Sequence, residues 1–315
     1  MNTRRIRANC LLLTTAVVWG FAFAFQKVGA DFLGAFSFNG VRFVFAAIAL
    51  SPVVYIFSGS AETGIKKLIP SKMEIIAGFC AGLALYTASF LQQAGIAHTS
   101  AGKAAFITGL YLVIVPIYGL FWKQKAHISV WIAVIMAVTG MYFLSIHEEQ
   151  LRIGNGDFIV FIGAFLWAAH IMVVDRFNPK VDPLKFSWIQ FASAAGLSLI
   201  TALFVEFDTL TVTNIRLALI PLLYAGVCSA GIGYTLQIIG QKDARPAPAT
   251  LILSLEAVFA VAGGYFLLGE TMGMRETFGC VLMVGGMILA QYKELMRPQP
   301  TGEHARIDPQ CTTDL

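Results

Sequence analysis

Apolar and polar residues alternate along this chain in blocks of membrane length. Ten mostly apolar runs, at 9–26, 35–57, 73–94, 103–122, 128–146, 156–174, 184–205, 217–239, 247–267 and 275–292, are joined by short polar connections. A helix rises ~1.5 Å per residue, so about 20 apolar residues cross a ~30 Å hydrocarbon core. The pattern predicts an all-α polytopic membrane protein with ten transmembrane helices, and its connections leave no room for a soluble domain. The polar, proline-bearing stretch 293–315 is predicted to be disordered. Arg4, Arg5 and Arg7 ahead of Leu11–Phe25 give the charge pattern of a signal peptide. The apolar part is long and no small-x-small site follows, so the expectation is an uncleaved first helix.

The basic residues between the runs alternate in number. Lys and Arg count 3, 1, 3, 1, 2, 1, 3, 1, 2, 1 and 3 from the N-terminal segment to the C-terminal one, which collects 16 on one side of the bilayer and 5 on the other. Cytoplasmic loops hold the excess of positive charge, so both termini are expected in the cytoplasm of a bacterial inner membrane protein. These residues set topology and form no nucleic-acid patch. The one basic residue they leave out is Arg42, inside the second run.

Ten spans divide into five and five. An offset of 148 residues pairs Trp19 with Trp167, Phe38 with Phe186, Phe43 with Phe191 and Ala46-Ala47 with Ala194-Ala195; an offset of 145 pairs Leu91-Gln92 with Leu236-Gln237, Gly95 with Gly240, Gly119 with Gly264, Phe121 with Phe266 and Gly140 with Gly285. Five is odd, so a second copy enters the bilayer from the opposite face. The expected organisation is a five-helix repeat at 1–146, an inverted second repeat at 147–292 and the tail at 293–315. Inverted repeats commonly hold a solute site near the midplane, where the halves meet.

Several segments resemble the EamA-type family of the drug/metabolite transporter superfamily, over about residues 10–292. They are Val18-Trp19-Gly20, Val41-Arg42-Phe43, Thr99-Ser100-Ala101-Gly102-Lys103-Ala104-Ala105, Ser254-Leu255-Glu256-Ala257-Val258 and Leu267-Leu268-Gly269-Glu270 with the Gly-rich last run. The resemblance implies ten helices around a central cavity and export of small metabolites or drugs, often amino acids. The family usually carries proline after the first of those glutamates. Ala257 stands there in this chain, which implies a less kinked ninth helix.

A charge in hydrocarbon costs from about 2.5 kcal/mol upward on insertion scales, so each one inside a run suggests function. Glu256 is the clearest: it suits a proton carrier or a ligand for a cationic group, against a purely structural carboxyl. Arg42 suits a substrate carboxylate, against snorkelling or bracing a neighbour. Lys103 lies nearer a run end, where snorkelling competes with a place on the face of Ile107, Leu110 and Tyr111. Aromatic and amide side chains recur at helical spacing: Trp19, Phe23 and Gln26; Tyr86, Ser89-Phe90 and Gln93; Tyr234, Gln237 and Gln241; and Trp167 with His170. Such stripes fit a cavity for an amphipathic solute or ordinary packing between helices. The candidate substrate-binding set is Trp19, Arg42, Tyr86, Lys103, Tyr111, Trp167, His170, Tyr234, Gln237 and Glu256. Gly78 and Gly82 are expected to let helices approach closely.

Composition narrows the function class. The chain is 57% hydrophobic and 13% charged with mean hydropathy +0.73, far from soluble averages. Its five cysteines are scattered without metal or redox spacing, and no cofactor is expected. No HExxH, GxSxG, dinucleotide fingerprint or P-loop occurs, which argues against an enzyme and against ATP as the driving force. The partners expected are a small-molecule substrate and the bilayer, with protons a candidate coupling ion. The expected assembly is a monomer or homodimer. Uptake, a cationic solute, a membrane enzyme or a receptor are the competing readings.

Overall fold

The computed structural model describes residues 3–58, 69–99, 101–121, 128–145, 154–268 and 273–296. Most of the predicted tail, residues 297–315, lies outside them. Among the described residues every one of the ten apolar runs is helical, and no strand occurs. Eight helical spans are long and apolar enough to cross a membrane; the fifth and tenth runs hold shorter apolar stretches, Ile128–Gly140 and Thr277–Leu289.

In chain order the elements are α1 (Thr3–Gly29), α2 (Ala35–Phe57), α3 (Lys72–Ile96), α4 (Ala101–Gly109), α5 (Tyr111–Phe121), α6 (Ile128–Ser145), α7 (Asn155–Phe177), α8 (Pro183–Val205) and the short α9 (Val212–Leu217). The eighth run follows as α10 (Leu219–Leu223), a π-helical segment (Tyr224–Tyr234) and α11 (Thr235–Gln241). Then come α12 (Pro246–Leu253), α13 (Glu256–Leu268) and α14 (Met274–Met296). Local chemistry fixes several starts. Ser71 and Glu74 form a reciprocal capping box on α3. Asp182 accepts from the Leu184 and Lys185 amides ahead of Pro183 at the first turn of α8.

Two runs read as single helices are interrupted at matching places. α4 gives way to α5 at Leu110, and α12 to α13 at Ser254-Leu255, 145 residues later. The ninth run is thus broken without the family's proline, against the expectation of a straighter helix. Its bonds tighten there: the Leu255 amide reaches back to Ile252 O and the Ala257 amide to Ser254 O. The Ser254 hydroxyl bonds the Leu251 carbonyl at 3.0 Å, a back-bonding habit that bends helices. The eighth run departs from regularity through its π-helical turns, in the glycine-rich sequence Gly226 to Gly233.

The packing has an approximate two-fold pattern. α2 packs on α8, α6 on α14, and α4–α5 on α12–α13. α1 packs on α11 and the π-helical segment just as α7 packs on α3, and α1 on α13 as α7 on α4 and α5. Gly95 lets α3 approach α7 at Gly156 and Val160, while Gly240 lets α11 approach α1 at Ala8 and Leu12. Residues 8 and 12 are the counterparts of 156 and 160 at the 148-residue offset. Phe43 and its counterpart Phe191 stack on each other at 6.3 Å and 7° between α2 and α8. Gly78 and Gly82 do bring α3 against α8, where added Cβ atoms would strike Ile189 and Ser193. Large exposed apolar side chains such as Ile48, Phe79, Ile135 and Phe204 lie outside the core, as a lipid-facing surface allows.

Candidate functional site

Where the two sets of helices meet, side chains from α1, α2, α3, α4, α5, α7, the π-helical segment, α11 and α13 surround a small cavity of about 30 Å³. Its walls repeat with the fold. Trp19 and Phe23 on α1 oppose their counterparts Trp167 and Ile171 on α7, and Gln92 on α3 opposes Gln237 on α11. Tyr111 and Glu256 are counterparts as well, and each is the first residue after a helix interruption. The breaks therefore place a hydroxyl and a carboxyl in the cavity wall from half-helix starts.

Chemistry breaks the repeat. Arg42 lines the cavity and is 2% exposed; its counterpart at the same offset is Gln190, which is neutral. The Arg42 guanidinium carbon lies 4.7 Å from the Phe43 ring centre and 5.8 Å from that of Phe38. Among the described residues no carboxylate lies in ion-pair range of it, and its Nε has no hydrogen-bond partner. Glu256 is also 2% exposed, with Oε1 unpaired. The Tyr111 hydroxyl stands beside the Glu256 carboxyl, and Tyr234 lines the same space as Arg42 and Glu256. Gln26, Thr108, Trp167 and Gln237 add further unpaired polar atoms to the wall. Buried polar groups are paired in roughly nine cases out of ten, so such a cluster is unusual for a helix-packing interior. Gly20 permits the arrangement: a Cβ there would collide with Phe259 and lie 2.7 Å from the Glu256 carbonyl.

Seven of the ten sequence candidates line this cavity: Trp19, Arg42, Tyr111, Trp167, Tyr234, Gln237 and Glu256. Three do not. Tyr86 is half-buried elsewhere, its hydroxyl 2.9 Å from Thr201 Oγ1 and its ring stacked near Phe36. Lys103 does not snorkel; it pairs at 2.5 Å with Asp157, which also accepts from Thr99 at 2.6 Å and from the Gly154 amide at 2.8 Å. His170 is fully buried behind the wall, bonded to Gln190 at 3.1 Å. Sequence reasoning missed Gln92, Thr108, Ile171 and Ser229 as lining residues. The repeat contained the signal for Gln92, as the counterpart of Gln237.

The EamA-like transporter family model matches residues 6–146 and again 154–292. A protein of Archaeoglobus fulgidus described as an uncharacterized transporter is 26% identical over 297 residues, covering 93% of this chain and 88% of its own. A Salmonella typhimurium protein described as a probable amino-acid metabolite efflux pump is 25% identical over 298 residues, covering 89% and 93%. A crystal structure with 16% sequence identity superposes with a TM-score of 0.72 over 92% of this chain and 99% of that one, a likeness of fold.

Proposed function

The chain belongs to the EamA-like transporter family, and we propose that it is a secondary-active exporter of small organic metabolites, amino acids or close relatives of them. The observation that carries this reading is the cavity itself. A buried cation and a buried carboxyl, neither ion-paired with the other, share one aromatic-walled space with Tyr234 beside both. A zwitterion satisfies such a site: its carboxylate meets Arg42 and its ammonium meets Glu256. The probable amino-acid metabolite efflux pump among the relatives supports the direction and the solute class.

The cycle we propose is alternating access, in which inverted halves rock about the cavity and open it to one side at a time. Glu256 also serves as the candidate proton site. Both termini are cytoplasmic in this reading, the membrane is a bacterial inner membrane, and the working unit is a monomer or homodimer. Counterflow of radiolabelled amino acids in liposomes tests the proposal. Flux by the native protein, abolished in Arg42→Met and Glu256→Gln variants that fold normally, is the expected result. Undiminished flux in both variants would remove these residues from the site. Flux of organic cations alone would favour the competing solute class, with Glu256 acting without Arg42.

A further inference from the structure

The cavity contains two equivalent tryptophans that are held by different means. Trp19 donates its indole N–H to the Ser229 carbonyl at 3.1 Å. Gly233 stands so near that an added Cβ would come within 2.5 Å of Trp19 Nε1. The polar edge of Trp19 is therefore engaged by the π-helical segment. Trp167 is 6% exposed, and its Nε1 has no hydrogen-bond partner.

What lies against Trp167 instead is His170, edge-on at 5.9 Å between ring centres and 85°. The same imidazole meets Tyr234 edge-on at 5.9 Å and 84°. Trp167 and Tyr234 run nearly parallel, 6.0 Å and 16° apart. One buried ring thus backs both members of a stacked pair, in the edge-to-face geometry that aromatic quadrupoles favour. Gln190 on α8 holds that ring through its Oε1, 3.1 Å from His170 Nε2. In the first repeat the position equivalent to His170 is Ala22, so Trp19 lacks such a support.

We propose that His170, anchored by Gln190, is a positioning residue: it keeps the unpaired indole N–H of Trp167 at the cavity, ready to donate to an acceptor oxygen of the solute, while Trp19 is a fixed wall. The nature of the solute rests on the transporter reading above; the positioning does not. Full-length protein labelled with 5-fluorotryptophan gives one fluorine signal each for Trp19, Trp122, Trp131, Trp167 and Trp188, assigned by single Trp→Phe variants. His170→Ala is expected to shift and broaden the Trp167 signal and leave that of Trp19 in place. His170→Phe, which retains a ring edge, restores most of it, and Gln190→Leu gives an intermediate change. In liposomes, with L-phenylalanine as the probe, His170→Ala raises KM about fivefold and leaves kcat unchanged, whereas a merely unstable protein loses kcat. A Trp167 signal indifferent to His170→Ala, or a Trp19 signal that moves as far, overturns the proposal. Absence of amino-acid flux in the native protein would contradict the solute class alone and leave the fluorine result to decide the positioning.

Discussion

Set side by side, the two halves share a skeleton and differ in chemistry. The first half contributes Arg42 where the second has Gln190, and the second contributes Glu256 where the first has Tyr111. Glycines, stacked phenylalanines and helix breaks recur at offsets of 145 or 148 residues, because helix approach is governed by size and is indifferent to charge. Charge is placed once. A symmetric site would put two cations or two carboxyls in one small cavity and repel itself. Unequal counterparts let the same frame hold one of each sign, as the proposed zwitterionic solute would require.

The ion pair of Lys103 and Asp157 offers the largest way to break this comparison. Their counterparts, Pro248 and Asn9, carry no charge, so the pair ties the halves together at the α4–α7 contact and has no charged equivalent at the α12–α1 contact. Asp157 is 4% exposed, and Asp157→Ala leaves the lysine without its carboxylate. The expected cost is about 3–5 kcal/mol of unfolding free energy in detergent titrations, against under about 1 kcal/mol for Asn9→Ala on the α1 side. Equal costs would mean that the two equivalent contacts between the halves are braced alike.

The charged members of the cavity pairs come next. Arg42→Met and Glu256→Gln should each lower kcat/KM for transport by roughly 10- to 100-fold, the scale of a hydrogen bond to a charged group. Their neutral counterparts, in Gln190→Leu and Tyr111→Phe, should cost less than about tenfold. Reversal of that order would show that symmetry position, and not charge, decides solute binding.

Glycines give the smallest contrast. At Gly95 a Cβ would strike Val160 and lie 2.7 Å from the Gly156 carbonyl, whereas at Gly240 the nearest atoms stand at 3.0 and 3.2 Å. Gly95→Ala is expected to destabilise by about 1–3 kcal/mol and Gly240→Ala by less than about 1 kcal/mol in the same titrations. A larger loss at Gly240 would place the tighter contact at α1–α11 and not at α3–α7.

The helical character and spacing of the runs are legible in the sequence because hydrocarbon imposes length and apolarity on every span. The cavity is legible at Arg42 and Glu256, where charge in an apolar run is conspicuous. Helical periodicity misled at Lys103: it shares a stripe with Tyr111, yet eight residues of rise set the two about 12 Å apart, and the break at Leu110 intervenes. His170 follows Trp167 by three residues, so spacing alone cannot tell the wall from its backing. Ser229 enters the cavity from π-helical turns whose wider winding a 3.6-residue period does not describe.

Single-cysteine labelling at one pair of equivalent exposed positions addresses the opposed orientation of the halves, on which the solute cycle depends. In a background with the five native cysteines replaced, Asp31→Cys and Pro179→Cys occupy counterpart sites after α1 and α7, 148 residues apart. A membrane-impermeant maleimide added to intact cells should modify Asp31→Cys and reach Pro179→Cys only after permeabilisation. Modification of both from the same face would mean that the halves run parallel, and the shared, two-sided solute cavity would have to be abandoned.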